Sequence, residues 1–146
     1  MIVKRITSND CKPLRHQVLW PHILLEKDCI IDIDSRKDAI HLGVFNEEKL
    51  ISICSLFKSE NEHFPNRKNS YQLRAMATSP NSRGINAGKL VVQEALRVLK
   101  EVNSDLLWCN AREVALGFYT KLGFSIEGDF FDVKNIGPHK VMYVKL

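Results

Sequence analysis

No two of the four cysteines, Cys11, Cys29, Cys54 and Cys109, stand in a C-x-x-C spacing, and none has a matched histidine. A zinc site and a disulfide framework are therefore not expected, and these residues read as buried, reduced thiols. No apolar run approaches the roughly 20 residues that cross a bilayer, so no membrane span is expected. Met1–Thr7 lacks a long apolar core followed by a small-residue cleavage site, so it reads as a first strand and not as a secretory signal. Those two absences together predict a cytoplasmic protein. Repeats, low-complexity tracts and interdomain linkers are also missing, which predicts one domain over 1–146. A basic cluster is missing too. The net charge is +4, with 21 Lys and Arg against 17 Asp and Glu spread along the chain. That surplus favours anionic ligands mildly and does not predict a nucleic-acid partner.

What is present is ordinary globular material. The chain of 146 residues is 45% hydrophobic and 26% charged, enough for one real core. Ile2–Thr7 predicts an edge strand. Ser8, Asn9 and Asp10 supply N-cap chemistry for a helix from about Cys11, with Pro13 in its first turn and Pro21 stopping it near Trp20. Arg15, His16 and Trp20 read as surface and packing residues, with a substrate mouth as the alternative. Asp28, Asp32, Asp34 and Asp38 give the next segment an acidic character that reads as a solvated loop or, alternatively, as an attractor for an amine. Ala39–Phe45 and Leu50–Phe57 predict a hairpin around Asn46–Lys49. Lys58–Asn69 is polar and reads as a loop, in which His63 and Phe64 could border a cleft.

Tyr71–Thr78 returns to strand, and Pro80 breaks it. The turn Ser82-Arg83-Gly84-Ile85-Asn86-Ala87-Gly88-Lys89 then opens a helix reaching about Val102. Ala87, Leu90, Val91, Ala95, Val98 and Val102 recur on one face of that helix. Small residues at a helix N-terminus expose unpaired backbone N–H groups where the helix dipole is positive. With Arg83 and Lys89 at the rim, such a turn suits phosphate or pyrophosphate; a tight strand–helix turn needing small residues for geometry alone is the alternative. The Gly-Lys-Ser/Thr of a nucleotide-hydrolysing loop and the third glycine of a dinucleotide fingerprint are both missing. Leu106–Cys109 predicts a wholly apolar strand covered on both faces. Val114–Leu122 predicts a helix closed by Gly123. Phe124–Val133 and Lys140–Leu146 predict a last antiparallel pair, with Asn135–His139 between them.

Two motifs in this order carry a resemblance. Arg83-Gly84-Ile85-Asn86-Ala87-Gly88 resembles the acetyl-CoA pyrophosphate loop of the GNAT superfamily of N-acetyltransferases, with Asn86 where a glycine is usual. Asn tolerates left-handed backbone angles better than most residues. Asn110-Ala111-Arg112-x-x-Ala115-x-x-Phe118-Tyr119-x-Lys121-Leu122-Gly123-Phe124 resembles the family's fifth strand and fourth helix. Leu73–Thr78 with Pro80 is similar to its fourth strand. The resemblance covers Tyr71–Phe131.

It implies an α/β fold, a mixed and mainly antiparallel sheet of about seven strands with helices on both faces. It also implies acetyl transfer from acetyl-CoA to a primary amine of a small molecule or protein by direct attack, without a metal. Backbone groups of Met76, Ala77 and Thr78 would pair with the pantetheine arm. The turn Arg83, Gly84, Asn86, Ala87, Gly88 and Lys89 would hold the pyrophosphate, and Asn110 would fix the arm. Tyr119 would protonate the leaving thiolate, a core aromatic beside Phe118 being the alternative. His139, in a Pro-His-x-x-Met ending seen in some relatives, would act as base, directly or through water, or would contact substrate. His41, Glu60 and Glu62 are further bases that could act through water. Two alternative functions accompany the resemblance: transfer of a longer acyl group, and a non-catalytic acyl-CoA sensor. Dimerisation is common in the family, and the sequence identifies no interface.

Overall fold

The sequence supplies two largely apolar runs around Asn46–Lys49, and in the computed structural model, which describes residues 1–146, these form an antiparallel hairpin. In chain order the elements are β1 (Ile2–Ile6), α1 (Ser8–Leu14) running on as a π-helical turn (Arg15–Leu19), a 3₁₀ turn (Glu26–Asp28), β2 (Ile40–Asn46), β3 (Lys49–Lys58) and β4 (Ser70–Thr78). Then come a 3₁₀ turn (Pro80–Ser82), α2 (Ala87–Glu101), β5 (Leu106–Arg112), a 3₁₀ turn (Glu113–Ala115), α3 (Leu116–Lys121), β6 (Ser125–Val133) and β7 (Gly137–Lys145). The strands make a mixed, mainly antiparallel sheet in the order β1-β2-β3-β4-β5-β7-β6. The expected α/β class and strand number hold. No helix is long and apolar enough to cross a membrane. By its packing the chain divides into two compact units, Met1–Phe57 with Leu73–Ala95, and Lys58–Gln72 with Leu96–Leu146.

In the first unit, β1 lies antiparallel to β2 and β2 to β3. Cys11 and Leu14 of α1 pack on Ile53 of β3 and Ala77 of β4, with Ile6, Val18, Leu19 and Leu50 around them. The helix starts earlier than the sequence suggests. Thr7, not Ser8–Asp10, is its N-cap: Asp10 N–H donates to Thr7 Oγ1 at 3.2 Å and Thr7 N–H donates to Asp10 Oδ2 at 3.0 Å, a reciprocal capping box. Pro13 consequently sits in the second turn, where it has no N–H to give. The helix then widens, and Trp20 N–H donates to Arg15 O, five residues back, at 2.8 Å.

In α2 the buried stripe is Ala87, Val91, Val92, Ala95 and Leu99. Val102 lies beyond the helix and is exposed, correcting the predicted stripe. Left-handed Asn103 turns the chain out, and Ser104 N–H donates to Leu99 O at 2.9 Å.

In the second unit, β5 is three residues longer than its apolar run and pairs with β7 from Leu106↔Lys145 to Arg112↔His139. β6 and β7 meet around a turn at Lys134–Ile136, with a bulge between Glu127 and Phe131. β7 therefore begins at Gly137, and His139 lies within the strand instead of before it. The polar loop is anchored here as well: Trp108 Nε1–H donates to Ser59 O at 3.0 Å, and Phe64 packs on Tyr143, ring centroids 4.9 Å apart. Phe64 is therefore a packing residue of this unit.

All four cysteines are free and buried. Burial pushes the Cys11 thiol up to about 11 and the Cys109 thiol up to about 12.

Candidate active site

The turn before α2 has the backbone its sequence requires. Gly84 has φ +82° and Asn86 φ +68°, so the two residues preceding the helix that can adopt left-handed angles both do so. Leu90 N–H donates to Asn86 O at 3.0 Å, which starts the helix. A side chain at Gly84 would meet nothing within 4 Å, so the space above the turn is open. Ala87 is buried beneath it, while Arg83, Asn86 and Lys89 are exposed. Unpaired N–H groups at the head of a fifteen-residue helix, an open cradle and two exposed cations together fit a pyrophosphate.

β4 leads to this turn and is irregular. Ala75 has φ +50°, unusual for a residue with a Cβ and costing about 1 kcal/mol or more. Beyond it Met76 and Thr78 are half-buried and Ala77 is buried. Ser52 of β3 braces this end of the strand, its Oγ lying 3.3 Å from Ala77 O and 2.9 Å from Thr78 Oγ1.

In the second unit Tyr119 is fixed by the end of α3. Phe124 N–H donates to Tyr119 O and Gly123 N–H to Thr120 O, both at 3.1 Å, with Gly123 at φ +94°. This is a Schellman closure. Tyr119 is buried, its ring edge-on to Phe118 and tilted against Phe124. Asn110 is exposed on β5. His139 pairs with Arg112 two residues further along β5 and is buried beside Phe131, ring centroids 5.9 Å apart. His139 Nδ1–H donates to Gly137 O at 2.9 Å. In the neutral ring this leaves Nε2 with its lone pair.

Sequence reasoning missed a buried polar network in the first unit. Arg15 has no exposed surface. It donates to both carboxylate oxygens of Asp34 at 2.7 and 2.8 Å, to Cys29 O at 3.3 Å and to Ser55 Oγ at 3.1 Å. His41 bridges the other side, with Nε2 3.2 Å from Asp34 O and Nδ1 2.8 Å from Ser55 Oγ. A carbonyl only accepts, so Nε2 carries the proton and Ser55 donates to Nδ1. Burial alone would raise the Asp34 pKa. The Arg15 hydrogen bonds, the Ile31 N–H, and the Arg15 and His41 charges outweigh it and hold Asp34 below its usual range. Burial holds His41 below its ordinary value, against the raising effect of Asp34. The acidic segment is therefore neither a simple solvated loop nor a free attractor: Asp34 is tied to Arg15 and Asp38 to Arg36. The bonded partners are seven to forty residues apart in sequence, and no local spacing announces them.

The sequence model of the Acetyltransferase (GNAT) family matches residues 7–124. The chain belongs to that family. Along almost its whole length it is also similar to the uncharacterized N-acetyltransferase YitI of Bacillus subtilis, 38% identical over 144 residues that cover 99% of this chain and 95% of YitI. Among solved structures it is similar in fold to an aminoglycoside 6'-N-acetyltransferase complexed with coenzyme A, with TM-score 0.79, 13% identity, and 99% and 97% of the two chains covered. A ribosomal-protein-alanine N-acetyltransferase from Brucella melitensis gives TM-score 0.76 at 15% identity, covering each chain fully.

The GNAT assignment makes the protein an acetyl-CoA-dependent acyltransferase that carries out N-acetylation. The open, left-handed turn at Gly84–Asn86 suits that co-substrate. No group of three or more His, Cys, Asp or Glu side chains comes together to hold a metal.

Proposed function

We propose that this chain, working as one 1–146 domain in the cytoplasm, transfers acetyl from acetyl-CoA directly to a primary amine. The observation that carries the reading is Asn86, which takes φ +68° at the head of α2 and so supplies the backbone that a glycine would. In this reading the N–H groups of Gly84, Asn86, Ala87, Gly88 and Lys89 hold the pyrophosphate, with the Arg83 and Lys89 side chains adding charge. The backbone of Met76, Ala77 and Thr78 aligns the pantetheine arm, and Asn110 steadies it.

Bound acetyl-CoA supplies an acetyl group activated as a thioester. A β4 backbone N–H stabilises the oxyanion that develops as the amine attacks. Tyr119 gives its phenolic proton to the departing sulfur. An alkylamine with pKa about 10.4 is mostly charged at pH 7, so a proton must leave the acceptor. His139 Nε2, its lone pair left open by the Nδ1–Gly137 bond, receives that proton directly or through a water.

Calorimetric titration with acetyl-CoA, dephospho-CoA and a longer acyl-CoA tests the reading, followed by a screen for CoA release with an amine panel. Micromolar acetyl-CoA binding with amine-dependent CoA release supports it. Preference for the longer chain replaces acetyl transfer with a wider acyl transfer. Binding without release from any amine replaces the enzyme with a sensor.

A further inference from the structure

Arg74 stands on β4 immediately before the left-handed Ala75 and is half-buried. Its guanidinium lies 5.8 Å from the centroid of the Phe57 ring, and no carboxylate or carbonyl pairs with it. The same ring is edge-on to His41, centroids 5.9 Å apart, and His41 stands opposite Ser55 in the β2–β3 register. Arg74, Phe57, His41, Ser55 and Arg15 thus form one connected group within the first unit.

The charges of this group do not balance. Arg15 is matched by the two-point bond to Asp34, and both nitrogens of His41 are engaged by a carbonyl and a hydroxyl. The other paired acid of the segment, Asp38, is held by Arg36. Arg74 is left as a cation with only an aromatic face beneath it. A guanidinium whose only neighbour of this kind is a ring keeps its N–H donors free, and those donors grip a carboxylate with two parallel hydrogen bonds. Two residues further along β4 is Met76. Two trans peptides put the two Cα atoms at most about 7.6 Å apart, within reach of an arginine side chain.

We propose that Arg74, beside the Phe57 ring, selects acceptors whose reacting amine lies within a few bonds of a carboxylate, the chemistry of an amino acid. The inference rests on the acetyltransferase reading above for the location of the reacting amine. It makes Arg74 a substrate-binding residue.

The test uses the full chain with methionine, phenylalanine and lysine, each paired with the amine that lacks only the α-carboxylate. Binding is measured by calorimetry in the presence of CoA, which carries no acetyl group. CoA release is then measured with acetyl-CoA. The carboxylate-bearing member of at least one pair should bind about tenfold to a hundredfold more tightly, the range of a charge-assisted pair. R74Q should bring that ratio to about one, and R74K, a point charge without the fork, should keep only part of it. A wild-type ratio of about one in all three pairs overturns the proposal, as does a ratio that R74Q leaves intact or the failure of every carboxylated acceptor to bind. Selective binding without CoA release would sink the enzymatic reading and leave Arg74 as a carboxylate site. Equal CoA release from both members of each pair would sink Arg74 and leave the enzyme.

Discussion

Phe124 N–H donates to the carbonyl of Tyr119 at 3.1 Å, and the two rings lie with centroids 5.1 Å apart. The turn that ends α3 therefore also holds the proposed acid by its backbone and one ring face. Tyr119→Phe removes the hydroxyl and keeps both contacts. Turnover should fall about a hundredfold or more, the usual contribution of a placed acid, with acetyl-CoA affinity within about twofold. A collapse of affinity measured by calorimetry would remove Tyr119 from the acid's role.

Asn86 is held at φ +68° where it tops α2. Asn86→Gly should keep or tighten acetyl-CoA binding, because glycine reaches that conformation without strain. Asn86→Val should weaken binding about tenfold or more, since a β-branched residue resists positive φ. Equal affinities for the two variants would separate the backbone of this turn from cofactor binding.

Arg15 and Asp34 are joined by two hydrogen bonds, with Arg15 wholly out of solvent. Removing one partner of such a pair strands the other charge and costs about 3–5 kcal/mol. Asp34→Ala should accordingly lower the urea midpoint severely. Asp38→Ala breaks the more exposed Arg36 pair and should cost less than about 1 kcal/mol. Similar midpoints for the two variants would contradict the weight given to the buried pair.

The same network predicts the direction of pH dependence. His41 titrates lower in the folded state than its ordinary 6.5, so the unfolded chain binds the proton first. Its stabilising contribution is complete above about pH 6.5 and is lost as pH falls through the folded value. Asp34, also depressed, from 3.8, adds a second loss in stronger acid. Denaturation midpoints should decline from pH 8 to pH 5, and His41→Asn should flatten that decline while lowering the whole curve. An undiminished slope in the variant would assign the effect to other groups.

Ala75 keeps a left-handed backbone inside β4. Ala75→Gly should stabilise the protein by about 0.5–1 kcal/mol by removing the Cβ strain. If the irregular strand aims an N–H at the acyl oxygen, the same change should lower turnover by loosening it. Chemical denaturation beside steady-state rates separates the two effects.

The elements were legible wherever chemistry is local. Gly123 ends α3 as its sequence position predicts, and the small residues before α2 adopt the conformations that Gly and Asn permit. Errors arose where a neighbour could be chosen in two ways. Thr7 competes with Ser8, Asn9 and Asp10 for the cap, and the partner at N3 decides it. His139 follows Gly137-Pro138, which reads as a turn, yet β7 extends back to Gly137 because β6 offers Asp132 and Val133 as partners there, while β5 reaches only His139. The Arg15–Asp34–His41–Ser55 network was invisible for a stricter reason. Its members come from a π-turn, a loop and two strands, and only the folded chain brings them together.

The four cysteines are all reduced and out of solvent, and burial keeps the thiols of Cys11 and Cys109 protonated far above neutral pH. A disulfide-exchange dye needs a thiolate it can reach. In the folded enzyme it should therefore colour only with the coenzyme thiol that catalysis sets free, giving a rate assay with almost no protein background. Once denaturant opens the fold, the same dye should count four further equivalents, so one reagent reads turnover in the native state and integrity when that state is lost.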